Sequence, residues 1–223
     1  MLVCVNVGDH DLFVLKAIVD RVEMFGVPLG LPDKSFTKCE VFVPGYKPGL
    51  GTAPSGSPVC FVEWEIITDD LRFYSDATKT TELLRVKARP ANGAFRKMAA
   101  FFSSGQTYDV TQADGTKIGV ITRAVGERRY HISDASEIEL VIVTQDPEPL
   151  SLREVPARLL LKRPFANDRF AFWHGDRRVG SHEPDRRTQT DSTVDMTPDR
   201  EHMIDRRLCL AVGCLDVLRP KAE

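Results

Sequence analysis

The chain has 223 residues, 42% hydrophobic and 28% charged, with a formal net charge of −2 at pH 7. That is the make-up of an ordinary globular protein of one large domain, or a domain with a small extension. The near-neutral total excludes a molecule that binds nucleic acid through its overall field, and no nucleic-acid partner is expected. The charge is unevenly spread. Residues 1–84 carry 7 basic and 12 acidic side chains, residues 85–187 carry 18 and 13, and the remainder carry 5 and 7. The middle of the chain would offer a mildly basic face to an anionic partner, although a mixed solvated surface suits these counts better.

Met1 to Val7 has no basic stretch of the kind that opens a signal peptide, and Asp9, His10 and Asp11 interrupt it. Residues 9–25 space Leu12, Leu15, Ile18, Val19, Val22 and Phe25 as on one helical face, which predicts a helix capped by Asp9 or Asp11. The alternative is a pair of strands through LVCVNV and LFVLKAIV, since β-branched residues are frequent there. Asp9, His10 and Asp11 point in different directions, so a polar cap explains them better than a metal. Residues 44–58 (PGYKPGLGTAPSGSP) form a loop or linker. Their glycines are not followed by Lys-Ser/Thr and a helix, so they make no phosphate loop. Residues 1–58 are thus an N-terminal segment, either part of the following domain or an extension, and 59–223 the main domain.

From residue 59 the periodicity changes to two. Strands are expected at Val59–Ile67, Leu71–Tyr74, Leu83–Ala88, Thr107–Thr111, Lys117–Arg123, Arg129–Ser133, Ile138–Thr144, Ala157–Lys162, Arg169–His174 and Arg178–His182. Turn residues such as Thr68-Asp69-Asp70, Asp114-Gly115 and Gly175-Asp176 lie between them. Many short strands with near-regular turns predict a mainly β sandwich or barrel. Segments 72–86, 107–121 and 169–182 share one plan: an aromatic strand, an Asp-containing turn and a second strand. Ile118-Gly119 and Val179-Gly180 match, and glycine there suits a bulge or a close backbone approach.

Thr197-Pro198-Asp199-Arg200-Glu201 has the signature of a helix start, with Thr197 as cap and Pro198 in the first position. Arg219-Pro220 ends the same helix. Its second half, LCLAVGCL (208–215), is apolar nearly all round. Such a helix must be enclosed, and the run is too short to span a bilayer, which takes about 20 residues. A curved sheet wrapped around a central helix accounts for it, with Gly213, Ala211, Cys209 and Cys214 keeping the helix slim. Five cysteines are present, an odd count without zinc-knuckle spacing, and they are expected as free thiols in a reducing compartment.

The hairpin YDVTQADGTKIGVITR and the ending DREHMIDRRLCLAVGCLDVL carry a resemblance to the tubby C-terminal-like superfamily. The branch is that of LURP-one-related proteins and phospholipid scramblases. Residues 59–218 are covered. The most specific segments are Tyr108–Arg123, with Asp114-Gly115 in its turn, and Asp205-Arg206-Arg207-Leu208. The resemblance implies a closed antiparallel β-barrel of about twelve strands around a hydrophobic C-terminal helix. It also implies a non-enzymatic, cytoplasmic module that can sit at a membrane and binds an anionic phospholipid, such as a phosphoinositide, or a protein. Scramblase-type lipid handling is the alternative, followed by a small-ligand barrel or enzyme. The chain lacks the cysteine cluster and the acidic calcium run of scramblases, and no tubby phosphoinositide motif maps onto it residue by residue.

Chemistry in the residues themselves is sparse. No G-x-S-x-G occurs, and neither catalytic residues nor a cofactor are expected. His174 and His182 flank a hairpin turn near Asp176 and Glu183, where polar hairpin ends explain them better than a metal site. Asp69-Asp70 are turn formers before they are an acid–base pair. Lys162, Arg163, Arg177, Arg178, Arg186 and Arg187 surround the 157–187 region, and Lys87 and Arg89 are candidates to join them. Arginine forks grip phosphate well, which makes these eight the candidate headgroup ligands. Phe95, Phe101 and Phe102 flank Arg96-Lys97. They plug one end of the barrel on the favoured reading and are membrane-contact candidates on the other.

Overall fold

A computed structural model describes residues 7–19, 23–24, 27–28, 36–43, 57–65, 68–90, 106–124, 129–146, 169–184 and 191–218. The described strands are β1 (Leu12–Val19), β2 (Glu23–Met24), β3 (Val27–Pro28), β4 (Phe36–Phe42), β5 (Cys60–Glu65), β6 (Asp70–Tyr74) and β7 (Glu82–Ala88). They continue as β8 (Gln106–Gln112), β9 (Lys117–Arg123), β10 (Arg129–Asp134), β11 (Glu139–Asp146), β12 (Arg169–His174), β13 (Arg177–Pro184) and β14 (Asp191–Asp195). One α-helix follows, α1 (Arg206–Leu218). Twelve of the strands close a barrel in the order β1-β14-β13-β12-β11-β10-β9-β8-β7-β6-β5-β4, while β2 and β3 pair with each other. The mainly β, closed antiparallel barrel with a C-terminal helix is therefore the architecture of the chain.

Alternation builds the wall. On β5, Cys60, Val62 and Trp64 are buried while Phe61, Glu63 and Glu65 alternate with them on the outer side. Aspartates close the turns by accepting backbone N–H groups. Asp76 takes those of Thr80 and Thr81, Asp114 that of Thr116, and Asp134 those of Ser136 and Ile138. Gly115 and Gly175 supply the positive φ angles, 84° and 56°. All barrel pairs are antiparallel, so the turns at 75–81, 113–116, 135–138 and 175–176 share one end. The Thr68-Asp69 turn lies at the other.

Three expectations need correction. The helix over residues 9–25 is absent from 12–19, which form β1. Phe13, Leu15 and Ala17 point inward and pair with β4 and β14 on either side. Val14 is also buried, so apolar residues on both faces imitate a helical period. Of the alternative reading's first strand, Leu2–Val7, residues 2–6 lie outside the described residues, and Val7 opens a 3-10 turn to Asp9; the predicted strand at Ala157–Lys162 also lies outside them. Second, α1 starts at Arg206, not Pro198. His202 has φ of 51° and breaks any helix there. Asp205 is the cap: its Oδ1 accepts the N–H of Arg207 at 2.9 Å. Third, β4 and β14 were not foreseen. β14 reads DSTVD, with only Ser192 and Val194 buried.

The helix is buried on every side from Leu208 to Leu215. Close approach depends on glycine. A Cβ on Gly213 would lie 2.6 Å from Val194 Cγ2 and 3.0 Å from Leu15 Cδ1. One on Gly119 would lie 2.6 Å from the Ser133 carbonyl oxygen and 2.9 Å from Leu208 Cδ1. One on Gly180 would run into the Met196 thioether and lie 2.7 Å from the Asp195 carbonyl oxygen. Register shifts occur beside both wall glycines, between Val110 and Thr111 and between Phe172 and Trp173. The matched glycines of the two hairpins thus mark bulges and close contacts, as their sequence positions suggested.

Candidate functional site

The segment before α1 is tied down by a buried arginine. Arg206 is 1% exposed. Its Nη1 donates to Asp199 Oδ2 at 2.5 Å and its Nε to Asp11 Oδ1 at 2.8 Å. Nη1 and Nη2 also reach the Ile204 and Asp199 carbonyls. Burial by itself would raise the Asp199 carboxyl. The Arg206 guanidinium and the N–H groups of Ile204 and Met203 outweigh it and hold that carboxyl below its ordinary range. The cluster fastens the start of the helix to the chain just before β1 and to the loop after β14.

At the opposite end of the barrel Asp69 turns the chain with φ of 50°. Its carboxylate accepts the Trp64 indole N–H at 3.0 Å and the Tyr108 hydroxyl at 2.9 Å. Asp69 is thus a turn former whose side chain clamps β5 and β8. The interior between these clamps is filled by apolar side chains from the wall and from α1.

Among the described residues, two linked charge clusters lie on the outer wall of β6–β9. Asp70 accepts Arg85 Nη2 at 2.5 Å and Arg72 Nη2 at 3.2 Å, and Arg72 also reaches Glu65 at 3.4 Å. Further along, Arg89 donates to Asp109 at 2.7 Å and to Glu137 at 2.6 Å. Lys117 joins the same carboxylates at 3.3 and 2.9 Å. The Asp109 carboxylate raises the Arg89 guanidinium, with Glu137 second, and Arg89 in turn holds both carboxyls low. Glu137, then Asp109, raises the Lys117 ammonium. Lys87 stands between the two networks, exposed, with Asp70 and Asp109 as its register partners.

These guanidinium groups are about a third exposed, 34% for Arg85 and 36% for Arg72 and Arg89. The Arg89–Asp109 pair, exposed at both ends, is worth about 0–1 kcal/mol, whereas Asp70 is 1% exposed and its buried carboxylate holds Arg72 and Arg85 in place. Exchanging Asp109 for an incoming phosphate oxygen at Arg89 therefore costs little, and Lys87 adds a cation at the centre of the strip.

The other described candidates lie elsewhere. Arg177 and Arg178 are exposed at the start of β13, with Arg177 3.3 Å from Glu201. In the barrel order β7 and β13 are six strands apart either way round. The structure thus separates Lys87 and Arg89 from Arg177 and Arg178 instead of gathering them. Lys162, Arg163, Arg186, Arg187, Phe95, Phe101 and Phe102 lie outside the described residues. His174 and His182 are not strand neighbours: register puts His174 opposite Arg177 and His182 opposite Phe170. His182 is buried, stacked on Phe170, with Nδ1 3.7 Å from Asp216. His174 Nδ1 lies against the Leu140 carbonyl. Among the described residues no three His, Cys, Asp or Glu side chains converge to hold a metal ion.

Sequence reasoning missed Arg72, Arg85, Lys117, Asp109 and Glu137, and read Asp70 as a turn former where it opens β6 and pairs with Arg72 and Arg85. The signal was present in Arg85, Lys87 and Arg89, whose spacing of two puts all three on one side of β7. No family model matches the chain, and no curated protein or solved structure matches it. No helix of the described residues is long and apolar enough to cross a membrane.

Proposed function

We propose that this chain is a non-enzymatic binding module of the tubby-like kind. It works in the cytoplasm at a membrane surface and takes anionic phospholipid headgroups, phosphoinositides among them, on the outer wall of β6–β9. The observation that carries this reading is the occupied interior: α1 is buried on all sides inside the barrel, so a ligand must meet the outer wall or the turns. The cationic strip of Arg72, Arg85, Lys87, Arg89 and Lys117 supplies forks and a point charge suited to phosphate oxygens.

Vesicle flotation tests the proposal. The full chain is mixed with neutral vesicles, phosphatidylserine vesicles and phosphoinositide vesicles at low and physiological salt. Binding is expected to anionic vesicles only and to weaken with salt. A basic residue near such a surface is worth about 1 kcal/mol, so Lys87→Glu should weaken binding by about ten-fold or more. Arg177→Glu, across the barrel, should change it little. A wild-type chain that ignores every anionic vesicle at low salt removes the lipid reading.

A further inference from the structure

Glu137 lies in the turn between β10 and β11 with φ of 67°, a left-handed conformation that suits glycine or asparagine. The turn does not depend on the glutamate side chain. Asp134 closes it by accepting the N–H groups of Ser136 and Ile138, and the Glu137 N–H donates to the Asp134 carbonyl. The side chain reaches instead to the outer wall. Its Oε1 accepts Arg89 Nη2 at 2.6 Å and Lys117 Nζ at 2.9 Å. Arg89 directly follows β7 and Lys117 opens β9. One carboxylate oxygen thus occupies the point where a guanidinium fork and an ammonium converge. A phosphate oxygen bound there would use the same two donors.

Asp109 engages the same two cations but is held differently. It lies within β8 and takes Arg89 at two points, Nε to Oδ2 at 2.9 Å and Nη2 to Oδ1 at 2.7 Å. Its side chain is 34% exposed, against 53% for Glu137. Asp109 orients the Arg89 fork, while Glu137, on a turn and more exposed, is the first carboxylate to leave. On the lipid reading proposed above, Glu137 stands where a ligand oxygen would. We infer that Glu137 is a tethered competitor, which holds the Arg89–Lys117 point against singly charged headgroups and yields it to phosphomonoester headgroups.

The selectivity follows from charge and tethering. A phosphodiester carries one negative charge, as the Glu137 carboxylate does. The carboxylate is part of the molecule it binds, which gives it an effective concentration on the order of millimolar. A diester headgroup therefore meets a competitor of equal charge that is always at hand. A phosphomonoester carries about −1.5 to −2 charges at neutral pH and three acceptor oxygens, so it gains more from the two cations than Glu137 does. Lys87, exposed and opposite Asp109 in the register, adds to that gain. Arg89, then Lys117, holds the Glu137 carboxyl below its ordinary range, so the competitor stays charged at neutral pH. The unfavourable φ is kept for a contact made outside the turn, not for the turn itself.

The test floats the full chain on phosphatidylserine vesicles and on vesicles carrying a phosphatidylinositol monophosphate, matched in surface charge. Wild type is compared with Glu137→Gly, Glu137→Gln and Glu139→Gln. The last removes the same charge two residues away, where the carboxylate pairs with His131 instead. Glu139→Gln should raise binding to both vesicles alike, by about five-fold at most, the worth of one charge near the surface. Both Glu137 variants should raise phosphatidylserine binding by about five-fold beyond that, through the two freed cations. Their phosphoinositide binding should rise less, so that the wild-type preference for the monoester shrinks. Glu137→Gly should melt at or above the wild-type temperature, since glycine relieves the φ and the lost pairs are exposed. A wild-type chain that binds neither vesicle removes the lipid reading and this inference with it. A chain that binds, but whose preference is unchanged in both Glu137 variants, overturns the inference alone. So does a Glu139→Gln effect as large as theirs. A Glu137→Gly melting temperature several degrees below wild type also overturns it, because the side chain would then be a brace of the fold.

Discussion

The inner and outer faces of the same strands follow different rules. On β7, Leu84 and Val86 face the barrel interior and are 3% and 0% exposed. Their neighbours Arg85 and Lys87 face solvent, where Arg85 is held by Asp70 across the sheet. Inside, the packing is specific enough that three glycines are needed to let backbone and helix approach. Outside, Arg89, Lys117, Asp109 and Glu137 meet in a network whose members can change partner at little cost, while the buried Asp70 carboxylate keeps Arg72 and Arg85 in place. The lesson is a division of labour: volume and burial determine the fold, and the exchangeable charges remain for recognition. Substitutions on the two faces should therefore differ in scale.

The largest effect is expected from Leu210→Asp, in the fully buried part of α1. An unpaired charge there should cost more than about 4 kcal/mol and leave no cooperative unfolding transition. A soluble variant that melts cooperatively near the wild-type temperature would erase the contrast between the faces. Next comes Arg206→Met. It strands the buried Asp199 carboxylate, which is 0% exposed, and should cost about 3–5 kcal/mol in urea unfolding. Gly213→Val should cost about 1–3 kcal/mol through overpacking against Val194 and Leu15.

Acid sharpens the comparison further. The folded pKa of Asp199 lies below its ordinary value of 3.8. Its stabilisation is therefore complete above that value and is lost as pH falls through the lower folded pKa. The stability gap between wild type and Asp199→Asn should be full at neutral pH and shrink below about pH 4. A gap independent of pH would mean that the Asp199 charge contributes nothing. The smallest effect belongs to the outer wall: Arg89→Gln should cost about 0.2–1 kcal/mol, less at high salt.

Much of the fold was legible because alternation and turn chemistry are local. Lys117–Arg123 and Arg169–His174 stand as strands with the expected bounds. The enclosure of α1 followed from an apolar surface with no polar side. What failed depended on distant partners. Leu12–Val19 reads as helical until β4 and β14 flank it. The start of α1 reads as Thr197-Pro198 until Asp199 is seen to serve Arg206 instead. The polar strand β14 has little burial of its own to announce it. In the candidate site, the spacing of Lys87 and Arg89 was visible, but the carboxylates that engage Arg89 come from residues 109 and 137, beyond any local pattern. Nor could sequence order show that β7 and β13 lie on opposite sides of a closed barrel.

The central claim is that α1 is the core of this barrel and leaves ligands only the outside. Native-state amide hydrogen exchange across Leu208–Leu215 tests it most directly. These amides should be among the slowest in the molecule and exchange only with global unfolding, with a free energy that matches the urea value. Exchange in that segment through a separate, lower-energy opening while the wall strands stay protected would contradict the claim, because the helix could then leave an intact barrel and free its interior for a ligand.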